Sequence, residues 1–375
     1  MTKRFAQLAA VLAAGTLSLT ACGGGQTITP ATSPTGTTGG TSSYACPAGK
    51  LIGGGATSQK LAVDTLVSDY GKECGNKATI EYSGTGSGAG IKDFYNGQID
   101  WAGSDSALKS KANKDGIVET EKAAARCGAP AWNLPLVISP VAFAYNLDGV
   151  NKLTLTPAII NDMAFGKITK WNDPKITAVN SGVTLPDLPI SFFYRSDESG
   201  TTENMTKFLK AAAPDTFTAD TSKKWPGTAG EGKKGTQGVA DGVKATKGGF
   251  GYMEWKFATD SQLGVSLIDN GAGAVELTGA TVAKGVEGAT IKGEGNDLSL
   301  EMTYAGTAAG AYPAVMVTYE IVCSKGLAAD KTALVKDFLS FVVSEEEQKA
   351  LVEKGYGPLP EALRTKVAAA IKAIA

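Results

Sequence analysis

The 375-residue sequence contains no histidine. That removes Ser-His-Asp and Cys-His nucleophilic catalysis, His-ligated zinc and any histidine pH switch. It also lacks an excess of either charge. With 36 basic and 37 acidic side chains the net charge is −1, which gives no electrostatic basis for nucleic-acid binding. Cysteine is scarce, at five residues, and no C-x-x-C pair occurs among the last four, which disfavours a cysteine metal site. No metal or other cofactor is expected. What is present describes an ordinary globular chain: 43% hydrophobic residues, 47 glycines and a length that suggests two domains.

The N-terminus reads as an export signal over residues 1–22. Lys3 and Arg4 precede a mostly apolar stretch, Phe5 to Leu19, that is too short to span a membrane. It ends in Leu19-Thr20-Ala21-Cys22-Gly23, which resembles the bacterial lipobox. That resemblance implies that Cys22 is lipidated, carries palmitate-type acyl chains and holds a lipoprotein on the extracytoplasmic face of the cell membrane. Residues 23–45 form a tether. From Gly23 to Ser43 they are mostly Gly, Thr, Ser and Pro with an isolated Ile28, and as a coil their ends lie on the order of 25 Å apart. Four cysteines remain, enough for two disulfides in an exported protein, and three pairings are possible. Cys46–Cys74 is favoured because these residues flank one strand–helix unit, leaving Cys127–Cys323.

From Lys50 onward short strands alternate with helices. Leu51-Ile52 runs into Gly53-Gly54-Gly55-Ala56-Thr57-Ser58, followed by a helical face of Val63, Leu66, Val67 and Tyr70. Ala78 to Tyr82 runs into Ser83 to Gly90, followed by Ile91, Phe94 and Tyr95. This is βαβ patterning, so the fold class is α/β, and ligands of such sheets sit where strands hand over to helices. Leu136 to Asn146 and Ala314 to Cys323 read as strands that carry the chain between two lobes and back. Lobe 1 is expected over 46–139 and 313–375, and lobe 2 over 140–312, with rotation about two hinge-crossing strands.

Three Gly/Ser/Thr loops open helices, around Thr57, Ser87 and Ser199. The third lies in Arg195-Ser196-Asp197-Glu198-Ser199-Gly200-Thr201, ahead of a helical face of Met205, Phe208, Leu209 and Ala212. Ser199 suits an N-cap, Gly200 permits close approach, and the first N–H groups of the helix are unpaired and lie at the positive end of its dipole. With the Arg195 fork these features form an anion site, and Asp197 is placed to orient that arginine. No loop ends in the Gly-Lys-Ser/Thr of a Walker A motif, and Gly84-x-Gly86-x-Gly88-x-Gly90 lacks dinucleotide-fingerprint spacing. Asp105 is the wrong charge for a fully ionised anion. It suits one that carries a proton, such as phosphate rather than sulfate, because a carboxylate accepts from P–OH and repels a bare oxyanion.

These landmarks together resemble the phosphate-binding protein family of the bacterial phosphate-specific ABC transporter. The motifs are Gly-Gly-Gly-Ala-Thr (53–57), Gly-Thr-Gly-Ser-Gly-Ala-Gly-Ile-Lys (84–92), Gly-Ser-Asp (103–105), Phe-Gly-Lys-Ile-Thr-Lys-Trp-Asn-Asp-Pro (165–174), Arg-Ser-Asp-Glu-Ser-Gly-Thr (195–201) and Gly-Tyr-Met-Glu-Trp (251–255). The resemblance covers roughly residues 50–365. It implies a two-lobed type II periplasmic-binding-protein fold, phosphate held by Thr57, Ser58, Ser87 and Asp105 from one lobe and by Arg195, Ser199, Gly200 and Thr201 from the other, and delivery by a monomer to a membrane permease for high-affinity import. The sequence departs from the family at Ser58, where Phe is frequent, and at Glu198, where Gly is usual. Lys233 and Lys234 are the cations expected to offset Glu198. Other readings are a receptor for another oxyanion, a surface adhesin, or an enzyme. The last is disfavoured because Ser87 and Ser199 have no evident base.

Overall fold

A computed structural model describes residues 43–305 and 308–375. The signal segment, Cys22 and the tether up to residue 42 lie outside the described residues. Ser43 to Ala45 are described, and they do not behave as free linker: Tyr44 packs edge-on against Phe341, and the Ala45 N–H donates to Asp337 Oδ1 at 2.9 Å.

One nine-stranded sheet organises residues 43–375. Across it run Ala78–Gly84, Gly49–Gly55, Trp101–Ser104, Val315–Cys323, Ala131–Tyr145, Gly249–Glu254, Ser191–Arg195 and Glu231–Lys233, with Gly264–Val265 added beside Ala131–Tyr145. The first three strands are mutually parallel, and so are Gly249–Glu254, Ser191–Arg195 and Glu231–Lys233. The two parallel halves meet through antiparallel pairing. Ala131 to Pro140 pairs with Val315–Cys323, and Val141 to Tyr145 pairs with Gly249–Glu254, so one strand belongs to both halves. That strand is buried from Asn133 to Tyr145, as its near-continuous apolar sequence requires. Pro135 and Pro140 cannot donate to the ladder. A bulge answers the first of them: Thr318 opposes Val137 and Tyr319 opposes Pro135, leaving Leu136 as the extra residue.

Helices follow the parallel strands in both halves, at Lys60–Glu73, Ser87–Tyr95, Gly200–Ala212 and Gly235–Ala245. The helix Gly200–Ala212 shows what holds such an element. Ser199 Oγ caps it by accepting from the Thr202 N–H, while Met205, Phe208 and Leu209 are fully buried. Burial contributes about 1.5–3 kcal/mol per side chain against about 1 for the cap, so the apolar face fixes the helix and the cap sets where it starts. The disulfides Cys46–Cys74 and Cys127–Cys323 both form, the second joining the end of Glu119–Cys127 to the end of Val315–Cys323 across 196 residues.

Glu320 lies on the shared ladder, 2% exposed, with Oε2 lacking a hydrogen-bond partner. Burial pushes its carboxyl well above the ordinary range, Gln59 beside it opposes this, and nearby Asp105 adds to it. A raised folded pKa means that the native state holds a proton which the unfolded state releases, so stability is lost as pH rises from about 4.5 upward. Glu320→Gln is therefore expected to raise the melting temperature at pH 8 by about 2 °C or more, roughly the effect of 1 kcal/mol in a large domain, and to change it little at pH 4. Melts by circular dichroism at both pH values check this; an equal shift at both would refute it.

Candidate functional site

The two parallel groups run in opposite senses, so their C-terminal ends, at Gly55, Gly84 and Ser104 in one and at Arg195, Lys233 and Glu254 in the other, face each other along Ala131–Tyr145, and the loops that follow meet there. Asp105 follows Ser104 directly and is 3% exposed. It neither caps a helix nor pairs with a surface lysine. Its Oδ1 accepts from Ser58 Oγ at 2.5 Å and from Thr318 Oγ1 at 2.7 Å, and its Oδ2 is 3.2 Å from Ser87 Oγ. The Asp105 N–H donates to Ser87 Oγ at 3.1 Å. Burial raises the Asp105 carboxyl, while the hydroxyls of Ser58 and Thr318, the Arg195 charge and Ser87 pull it back.

Arg195 lies at the end of its strand and is 2% exposed. Its Nε and Nη2 donate to the two oxygens of Asp197 at 2.8 and 2.5 Å, so Asp197 orients the fork as the sequence suggests. Nη1 reaches Thr236 Oγ1 at 3.2 Å and Thr201 Oγ1 at 3.4 Å. Burial works against the guanidinium charge, but the Asp197 pairing outweighs it and holds the group above its usual value. Thr201 Oγ1 donates to Glu254 Oε1 at 2.6 Å, so its hydroxyl proton is already used and only its backbone N–H remains to serve a ligand. Ser58 is in the same position, its proton being held by Asp105. Ser199 Oγ accepts from Thr202 and keeps a proton to donate. Glu254 Oε2 is buried without a partner, and burial, with Asp105 nearby, raises this carboxyl.

The two sets of residues touch. A Cβ placed on Gly200 would come within 2.5 Å of both Asp105 Cβ and Ser87 Oγ, so only glycine permits this approach. Gly86 enters the second helix at φ 98°, another position that favours glycine, and the next N–H but one, on Gly88, donates to Glu198 O at 3.0 Å. Asn204 Nδ2 donates to Asp105 O at 2.7 Å, and Thr57 Oγ1 lies 2.9 Å from Thr236 Oγ1. Thr57, Ser58, Ser87, Asp105, Arg195, Ser199, Gly200 and Thr201 thus fall into one buried cluster, with only Thr57 partly accessible.

Two expectations change. Glu198 is offset not by Lys233 or Lys234 but by Lys92 at 2.7 Å and Lys224 at 3.4 Å, while Lys233 pairs with Glu231. Burial raises the Glu198 carboxyl, but the two lysines prevail and keep it below the usual range. Ser58 does not simply remove an apolar wall, since its hydroxyl becomes an Asp105 donor. Sequence reading missed Thr236, Asn204, Glu254 and Thr318. For Thr236 a signal exists: Gly235-Thr236 precedes Val239, Ala240 and Val243, a buried helical face read only as a Gly- and Lys-rich segment.

In chemical terms the cluster offers helix N-terminal N–H groups, a fixed guanidinium and the Ser199 hydroxyl proton to an oxyanion, and one carboxylate to a proton on it. The model of the PBP superfamily domain matches residues 31–346. Phosphate-binding protein PstS 2 of Mycobacterium tuberculosis (strain ATCC 25618 / H37Rv) is 40% identical over 369 residues, covering 97% of each chain. Phosphate-binding protein PstS 3 of the same strain is 39% identical over 377 residues, covering 99% of each. The solved phosphate-binding protein from Stenotrophomonas maltophilia superimposes with a TM-score of 0.67 at 21% identity, covering 85% of this chain and 93% of that one, a likeness of fold. The chain has the type II periplasmic-binding-protein fold and belongs to the PBP superfamily, within the family of phosphate-binding proteins of the bacterial phosphate ABC transporter.

Proposed function

We propose that the chain clamps inorganic phosphate between two lobes and hands it to the membrane permease of an ABC importer. The observation that carries this is Asp105, a desolvated acceptor set among donors, which a proton-bearing oxyanion satisfies and a fully ionised one does not. Thr57, Ser58, Ser87 and Asp105 would bind from residues 46–139 and 313–375. Arg195, Ser199, Gly200 and Thr201 would bind from residues 140–312. In this reading Ser58, Ser87, Gly200 and Thr201 donate backbone N–H groups, Ser199 donates its hydroxyl, and Arg195 pairs with phosphate charge. Both halves of the site come from one chain, so a monomer suffices. The carboxylate beside Ser87 is Asp105, which also accepts from Ser58 and Thr318 and is read here as the ligand's proton acceptor, and the reading is of a receptor rather than an enzyme. Acylation at Cys22 would keep the receptor at the extracytoplasmic membrane face.

The ion pairs that bridge the lobes give this clamp a latch. Lys92–Glu198, Lys109–Glu203 at 3.3 Å and Lys223–Glu119 at 3.2 Å each join one proposed lobe to the other. Ser106 Oγ adds a bond to Glu203 Oε2 at 3.0 Å. Burial raises the Glu203 carboxyl, but Lys207, Lys223 and Lys109 bring it down to about 2, so it stays charged across the neutral range.

A thermal melt of residues 44–375, stripped of phosphate, tests the ligand. Phosphate at 100 times its dissociation constant is expected to stabilise by about 2.7 kcal/mol, and sulfate at equal ionic strength not at all. Shifts with both would refute the proton-reading role of Asp105, and shifts with neither would refute the receptor. For the latch, Glu198→Gln is expected to speed phosphate release up to about fivefold in stopped flow, the range of a partly exposed ion pair, with the difference shrinking at high salt. Unchanged release at low salt would show that Glu198 carries no latch.

A further inference from the structure

The bonds around Asp105 distinguish its two oxygens. Oδ1 lies within 2.7 Å of two hydroxyl donors on different elements, Ser58 and Thr318. Oδ2 has only Ser87 Oγ, at the longer distance of 3.2 Å, and that hydroxyl already accepts from the Asp105 N–H. Thr318 is fully buried on the strand Val315–Cys323, 213 residues from Asp105, at the step where the bulge opposite Leu136 shifts the register. Bulges re-aim side chains beside functional sites. A threonine in a strand buried along its whole length needs a partner for its hydroxyl, and here that partner is the carboxylate itself.

We propose that Thr318 is a positioning residue which, together with Ser58, fills Asp105 Oδ1 and leaves Oδ2 as the atom that accepts the ligand's P–OH proton. This rests on the phosphate reading above. The two donors fix the carboxylate plane and favour its charged form against burial. The groups facing Asp105 from the packed elements are Arg195, which favours its charge, and Glu254, Glu320 and Tyr82, whose carboxyls and phenol lie close enough to interact with it. Of these only Arg195 offsets burial, so the loss of one hydroxyl donor leaves the carboxylate appreciably less acidic.

The test is a titration of phosphate and sulfate binding from pH 4 to 8 on wild type, Thr318→Val and Thr318→Ser. Removal of the hydroxyl is expected to weaken phosphate about tenfold and to move the acid limit of phosphate binding up by about one pH unit, each unit being a tenfold factor. Sulfate gains over the same interval, because a protonated Asp105 donates to it. Thr318→Ser keeps the donor and is expected to follow wild type. In an Asp105→Asn background Thr318→Val should change neither the pH dependence nor the selectivity further, which separates action through Asp105 from a general loosening of the strand. A folded Thr318→Val protein with the wild-type acid limit and selectivity would overturn the inference, and if that variant does not fold, Thr318→Ala carries the same outcomes. Failure of wild type to bind phosphate would instead overturn the reading on which the inference rests.

Discussion

The antiparallel ladder between Ala131–Tyr145 and Val315–Cys323 is the interaction on which the rest of the molecule depends. It is buried from Asn133 onward, so its hydrogen bonds there have little water to compete with them, and it hands the first parallel group of strands to the second without a break in the sheet. The strand ends that bear the site are placed relative to one another by this ladder. So are the two polar side chains that interrupt Val315–Cys323: Thr318 projects to Asp105, and Glu320 lies behind it beside Gln59. The Cys127–Cys323 disulfide fastens the far end of the same strand.

Charge in the site is handled by geometry rather than by number. The Arg195 guanidinium is already matched by Asp197, and Asp105 and Glu254 add acidic groups, so the cluster has no surplus of cations for an anion. What it has are fixed dipoles: first-turn N–H groups behind Ser87 and Gly200, and hydroxyls whose protons are allotted one by one. Preset donors in a desolvated pocket need not reorganise when a ligand arrives, whereas a loose array of lysines would. A carboxylate can then sit in an anion site and act as a filter on protonation state.

Much of this was legible in the sequence, and the remainder was illegible for an identifiable reason. The strand–helix alternation, the two long apolar strands, the Ser199 cap and the pairing of Cys46 with Cys74 follow from local pattern and spacing, which sequence displays directly. Asp105 and Arg195 stood out because each is chemically conspicuous in its loop. Thr318 was not, since a threonine in an apolar strand has ordinary strand propensity, and its partner is 213 residues away. Glu198 shows the same limit. Lys233 and Lys234 were expected to offset it, yet the partner that closes on it from the other half of the sheet is Lys92, 106 residues distant, with Lys224 beside it. Glu254 was visible as part of a motif, but its role depends on the proton of Thr201, a matter of directed bonds.

The chain enters the described body at Tyr44. The N–H groups of Ala45 and Cys46 donate to the two oxygens of Asp337, each at 2.9 Å, and Tyr70 OH binds the same carboxylate at 2.7 Å. Tyr44 packs edge-on against Phe341 one helical turn further along, and Cys46 is bonded to Cys74. The first attachments of the chain after Ser43 are thus to one helix and one disulfide on the same half of the sheet, and Gly200, Glu198 and Glu203, which touch across the halves, are not among them. The first bonds to feel a displacement of Tyr44 are therefore remote from those on which the site depends.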